Sequence, residues 1–376
     1  MHVAQVAPLA EPVPPKLYGG TERVVSWLTE ELIVQGHEVT LFASGDSVTR
    51  ARLVPVIPRA TRLRRPRPDP SVVAALLLEA ITEAADEFDV IHLHIDWIHL
   101  PLMHRLSTPF LTTCHGRLDL PGLSQVIQQF PSAPFISVSD SQRAPLPEAH
   151  WLGTVYHGMP VDLYRPSFEQ GEYLAFLGRI TPDKGPRDAI KIAREAGLPL
   201  RIAAKLPRQQ GHYFKEEVEP LIDGQKVQFI GELDERGKGE FLRHAAALLF
   251  PIDWPEPFGL VMIEAMACGT PVIAYPCGSV PEVIEHGITG FIVEDQVEAV
   301  KAVQDLGFVD RRRVRKTFEK RFTCERMVRS YLTHYRNLAS GTAQRADTSI
   351  SVGESGGQEG IGTTDPRGRR LLPRLN

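Results

Sequence analysis

Short apolar, β-branched runs alternate with helically spaced apolar positions along most of the chain, the pattern of parallel strands joined by helices. In the first half these runs predict strands at 3–7, 38–43, 90–94, 110–114 and 135–138. The helix after the first strand is the clearest, with Val24, Val25, Leu28 and Leu32 on one face, Thr21 placed to cap it and Gly36 to stop it. A second series follows, with strands expected at 174–177, 200–204, 227–230, 247–250 and 272–274. The polar stretch 161–171, which contains Pro166 and Gly171, reads as the linker between the two series. This order predicts two doubly wound α/β domains with a cleft between them. Ligands of such sheets bind at the carboxyl ends of the strands, so the loops after strands are where chemistry is expected.

The chain has 376 residues, enough for two domains that each bury a core. The expected division is 1–165 and 166–322, then a helix at 323–339 and a tail at 340–376. The tail is rich in Gly, Ser, Thr and Arg and is expected to be disordered. A balance of 42 Lys and Arg against 46 Asp and Glu excludes the broad basic footprint of a nucleic-acid binder, so any anion site must be local. The one basic cluster, within 59–67, reads as a solvated loop, with peripheral membrane contact left open. No uncharged apolar run approaches the roughly 20 residues that span a bilayer, and the N-terminus reads as a buried strand rather than a signal peptide. The four cysteines are scattered and read as reduced thiols of a cytoplasmic protein.

The densest chemistry lies between Glu256 and Glu264. Pro255 and Pro257 hold an extended approach and 259–267 reads as a helix, so one carboxylate precedes a helix N-terminus and the other lies inside the helix. The two backbones are then about 10 Å apart. That is wider than the roughly 5 to 5.5 Å of a retaining glycosidase's carboxyl pair, and it suits two ends of a long ligand with phosphate in the middle. The loop from Gly178 to Gly185 places Arg179 and Lys184 between a strand end and a helix, where a forked and a mobile cation would meet a diphosphate. Gly19 and Gly20 end the first strand's loop without forming a dinucleotide or Walker motif. His115 follows the strand 110–114 and would hydrogen-bond a sugar hydroxyl or orient a reacting group. His92, His94 and His99 imitate a metal site but lack carboxylate co-ligands, and the chain contains no Asp-x-Asp, so no metal is expected.

Together these residues resemble the glycosyltransferases of family 4, retaining enzymes of the GT-B architecture, in which two Rossmann-like domains face each other across a cleft. The resemblance is carried by Gly19-Gly20, Thr113-Cys114-His115-Gly116, Gly178-Arg179 with Lys184-Gly185, and Glu256-Pro257-Phe258-Gly259 with Glu264. It continues through Gly278-Ser279-Val280-Pro281-Glu282 and Gly287-Ile288-Thr289-Gly290-Phe291, and so spans nearly everything before the tail. It implies transfer of a sugar from a nucleotide donor with retention of configuration and no cofactor or metal. The first domain would take the acceptor and the second the donor. His115, Arg179, Lys184 and Glu256 would form the catalytic set. Arg179 and Lys184 would grip the diphosphate, Glu264 the ribose and Glu256 the donor sugar. Gly19 and Gly20 would approach the donor, Phe258, Gly259 and Leu260 would offer backbone N–H groups, and Ile230 and Gly231 would meet the base. Glu282 is similar to a position that supports the site, and the helix at 323–339 would return to the first domain. Uridine diphosphate sugars are favoured over GDP-mannose by family frequency alone, and the acceptor, whether saccharide, lipid or small molecule, is not legible. The alternative is a nucleotide-sugar epimerase on the same scaffold.

Overall fold

The structure, a computed structural model, describes residues 1–62 and 64–353, from 342 onward in backbone alone. Among these residues the first half contributes β1 (His2–Val6), β2 (Glu38–Ser44), β3 (Arg52–Ile57), β4 (Val90–Leu93), β5 (Phe110–Thr113), β6 (Phe135–Ser137) and β7 (Trp151–Thr154). The second half contributes β8 (Tyr173–Arg179), β9 (Leu200–Lys205), β10 (Val227–Gly231), β11 (Ala245–Phe250), β12 (Val272–Ala274) and β13 (Gly290–Ile292). They form two parallel sheets, ordered β3-β2-β1-β4-β5-β6-β7 and β10-β9-β8-β11-β12-β13. In each sheet the chain order reverses beside the first strand, between β1 and β4 and again between β8 and β11. Successive connections there leave to opposite faces, which opens a crevice at the carboxyl ends of those strands.

The central strands were legible because they are buried on both faces, as Ala4 and Val6 in β1 and Leu174 and Ala175 in β8 are. Three strands that the sequence reading leaves out, β3, β7 and β13, all lie at sheet edges. β3 carries Pro55, β7 carries Gly153, and β13 is three residues long, so each dilutes the apolar run that marks an inner strand. The helix after β1 runs Gly20–Val34, with Gly19 in the cap position and no side-chain cap bond, so Thr21 does not cap it. Helix Leu260–Ala267 is apolar nearly all round, and Met262, Ile263, Ala265 and Met266 are fully buried between the second sheet and its neighbours.

The chain crosses between the halves twice, and the two crossings bond to each other. Met159 N donates to Phe322 O at 3.0 Å and Cys324 N donates to Met159 O at 3.0 Å. Helix Cys324–Gly353 then packs on helix Gly20–Val34 and the first sheet, burying Tyr331 and Tyr335 completely. It runs past the expected end at 339, so 340–353 is helical; the remainder of the expected tail lies outside the described residues. Buried Arg311 ties the first crossing to the second sheet by donating to the carbonyls of Ser167 at 2.9 Å, Ala245 at 2.8 Å and Arg243 at 3.0 Å, and to the Thr270 hydroxyl at 2.8 Å.

Candidate functional site

A cavity of about 510 Å³ opens where the two crevices face each other. Its floor comes from the loops on either side of the β8/β11 reversal. Gly185, at the end of the loop after β8, has φ 68°, and a Cβ there would overlap the Pro251 carbonyl, so only glycine lets this loop press on the end of β11. Asp253 N donates to Asp183 O at 2.9 Å and joins the two loops. Lys184 is thereby set against Glu256 in an ion pair, with its ammonium 4.5 Å from the centroid of the Trp254 ring. The Trp254 indole N–H donates to the same Glu256 oxygen at 2.8 Å. Gly278, at φ 59°, packs its backbone on that of Glu256 where any side chain would collide. Ser279 then donates to Glu256 O through its N–H at 3.0 Å and to Phe258 O through its hydroxyl at 2.8 Å.

Glu264, deep in the cavity wall and 3% exposed, accepts from Lys238 at 2.6 Å. Lys238 also lies 3.2 Å from Glu235, which pairs with Arg23 of helix Gly20–Val34 and accepts from the Tyr164 hydroxyl. Arg23, Glu235, Lys238 and Glu264 therefore alternate in sign in a row that crosses from the first half to the second. Burial pushes the Lys238 ammonium below its ordinary pKa, and the Glu264 carboxylate opposes that shift.

Arg179 and Lys205 are register partners at the carboxyl ends of β8 and β9. Their cationic groups lie 5.9 Å and 5.0 Å from the centroid of the Tyr18 ring, which comes from the first half. Arg179 Nε is buried without a hydrogen-bond partner, and among the described residues neither cation forms an ion pair. From the first half His115 joins the wall, hydrogen-bonded to His94 at 2.8 Å and stacked on His157 at 5.2 Å. Burial lowers the His115 pKa to about 3, so the ring is neutral near pH 7.

Residues 18–145 match the model of Glycosyltransferase Family 4, and residues 165–310 match that of the Glycosyl transferases group 1. The chain belongs to these glycosyltransferases. It is similar to the D-inositol 3-phosphate glycosyltransferase of Kribbella flavida, 28% identical over 282 residues that cover 61% of this chain and 66% of the relative. The match thus spans just under two thirds of that relative's length. Among solved structures, AviGT4, a glycosyltransferase involved in avilamycin A biosynthesis, superposes with a TM-score of 0.68 at 25% identity, over 90% of this chain and 98% of that one. HepE of Anabaena in complex with UDP-glucose gives 0.68 at 17% identity, over 90% and 100%. The fold of this glycosyltransferase is GT-B.

Of the residues singled out from the sequence, Gly19, Gly20, His115, Arg179, Lys184, Glu256, Phe258, Gly259, Leu260 and Glu264 line this one cavity of the glycosyltransferase. Ile230 and Gly231 do not. The register of edge strand β10 shifts between Phe229 and Gly231, Ile230 turns outward at 41% exposure, and the next two residues, Glu232 and Leu233, form the wall instead. Lys205, Lys238, Arg23 and Tyr18 were missed as site cations and ring. Only Lys205 had a usable signal, at the end of a predicted strand beside the one that ends in Arg179.

His92 and His94 lie side by side with ring centroids 4.0 Å apart, whereas His99 is bonded elsewhere. His92 meets Tyr335 and Thr113, His94 meets Gln5 and His115, and His99 meets Thr112 at 2.7 Å. Glu282 reaches across to the first half, accepting from Asp140 N at 2.7 Å, Ser141 N at 2.8 Å and the Tyr156 hydroxyl at 3.1 Å. Among the described residues no helix is long and apolar enough to cross a membrane.

Proposed function

We propose that this chain transfers a glycosyl group from a nucleoside diphosphate sugar to a hydroxyl acceptor, with retention of configuration and without a metal. The observation that carries the reading is the pair Arg179 and Lys205, unpaired with any described carboxylate at adjacent strand ends and flanked in the same cavity by Glu256 and Glu264. Two cations that lack counter-ions suit a diphosphate, and carboxylates on either side suit hydroxyls at its two ends. HepE, which shares the fold, is solved with UDP-glucose, which favours uridine among the bases.

In this reading the acceptor oxygen bonds to the anomeric carbon as the bond from that carbon to the donor phosphate breaks. The acceptor's proton passes to a phosphate oxygen on the same face, so configuration is kept. Arg179, Lys205 and Lys184 stabilise the charge that grows on the leaving diphosphate. Glu264 accepts from the ribose hydroxyls and Glu256 from the sugar, while the N–H groups of Phe258, Gly259 and Leu260 complete the cradle. Glu232 and Leu233 replace Ile230 and Gly231 as the neighbours of the base. His115, neutral, meets a hydroxyl and not a phosphate. The acceptor, a saccharide, lipid or small molecule, docks on the first half's loops. Four free cysteines accord with a cytoplasmic setting.

The test is incubation with UDP-sugars and GDP-mannose, with and without an acceptor panel, in the presence of EDTA. The expected outcome is release of nucleoside diphosphate and a glycoside of the donor's anomeric configuration. An inverted product, loss of activity with EDTA, or an altered sugar still attached to its nucleotide without acceptor would sink the proposal.

A further inference from the structure

We propose that Gln5 and Tyr335 are positioning residues that fix which nitrogen of His115 carries its proton, so that the ring meets its ligand through an unprotonated Nδ1. This rests on the reading that places His115 at the reaction site. Gln5 is fully buried in β1 between apolar neighbours, where an amide is costly unless it is bonded. Its Nε2 donates to the Tyr335 hydroxyl at 3.1 Å, and its Oε1 faces His94 Nε2 at 2.9 Å. An amide oxygen only accepts, so His94 carries its proton on Nε2. His94 Nδ1 is then a lone pair, and the group 2.8 Å from it, His115 Nε2, is the donor. The Nδ1 of a neutral His115 is therefore an acceptor. Among the described residues no protein group bonds to it, and the ring lines the cavity.

The other side of the chain of bonds agrees in direction. The Tyr335 hydroxyl, having accepted from Gln5, donates to His92 Nδ1 at 2.7 Å. His92 Nε2 then donates to the Thr113 hydroxyl at 2.7 Å, and Thr113 donates to Tyr331 at 2.9 Å. Burial holds His92, His94 and His115 below the ordinary histidine pKa, so each ring has one proton to place. An acceptor at His115 selects a ligand hydroxyl and rejects a phosphate oxygen, which offers no proton. Tyr331 and Tyr335 belong to the helix that begins where the chain returns from the second half. The docking of that helix thus sets the hydrogen-bonding sense of a ring in the cavity wall.

The test is two-bond proton–nitrogen spectroscopy of the full chain with ¹⁵N-labelled histidine, which reads the tautomer of each ring. The expected wild-type result is His115 protonated on Nε2. Gln5→Leu and Tyr335→Phe should each give a tautomer mixture at His115 and lower turnover by tenfold or more with the donor KM held within about twofold. Gln5→Glu, which keeps an acceptor facing His94, should restore the Nε2 form. A wild-type His115 protonated on Nδ1, or an unmixed tautomer in both Gln5→Leu and Tyr335→Phe, would overturn the proposal. His115→Ala separates it from the reading beneath it: undiminished turnover there removes His115 from the site altogether, whereas a crippled His115→Ala with the wrong wild-type tautomer rejects only the relay.

Discussion

Glu264 and Lys184 each hold a partner before any ligand arrives, so the site's charges are placed in advance. Glu264→Ala would leave Lys238 buried with only Glu235 beside it, and Lys184→Ala would leave Glu256 held by Trp254 alone. Each is expected to lower donor use, read as kcat/KM, by tenfold or more, about 1.4 kcal/mol in the barrier. Lys205→Ala should fall in the same range. Near wild-type kinetics in all three would reject the assignment. Glu256, Glu264, Arg179 and Lys184 were legible because their meaning is local, a strand end or a helix start a few residues away. Lys238 and Arg23 were not, and Lys205 was marked only by its place at the end of a predicted strand. A lone lysine looks like surface charge until parallel register sets it beside Arg179, and Arg23 acquires its role only when two halves of the chain meet. The pairing of Lys184 with Glu256 was hidden for the same reason, since 72 positions separate them.

At the level of elements, the inner strands announced themselves and three of the four edge strands did not, because burial on both faces writes an apolar run and exposure on one side dilutes it. The same limit applies to Ile230 and Gly231, where a register shift in an edge strand moved the wall by two residues. Glu282 sits on the short helix Val280–Val283 and binds three donors of the first half. Glu282→Ala is expected to lower the melting temperature by several degrees and raise the donor KM. Unchanged values of both would mean that the contact does not hold the halves together. Arg311 is a stricter case, because its guanidinium is the donor to three carbonyls. Arg311→Leu should destabilise the chain by on the order of 3 kcal/mol, since buried acceptors left without a donor carry the desolvation cost. A urea midpoint equal to wild type would contradict this.

The plan of the whole molecule, two doubly wound sheets facing each other, was readable from the alternation of strand and helix signals, while the interlock between the halves rests on contacts that the one-dimensional pattern does not encode. Folding also buries a set of neutral histidines. His92, His94, His99 and His157 are all held below the ordinary value by desolvation, His99 at about 3. Between that value and the unfolded pKa near 6.5 the unfolded chain binds protons that the folded chain refuses. Stability should therefore be intact above pH 6.5 and fall as the pH drops towards 3, by about 1.4 kcal/mol per pH unit for each such histidine. A melting temperature that is equal at pH 7.5 and pH 5 would contradict their burial. Binding of a nucleoside diphosphate in the cavity between the halves can be measured by thermal shift with uridine, guanosine and adenosine diphosphates without added metal. A ligand that binds only the folded state raises the melting temperature, by about 2.7 kcal/mol of stabilisation at a hundred times Kd. A clear rise is expected with one of the three, uridine diphosphate first, and its loss in Glu264→Ala. No rise with any of them at millimolar concentration would contradict it.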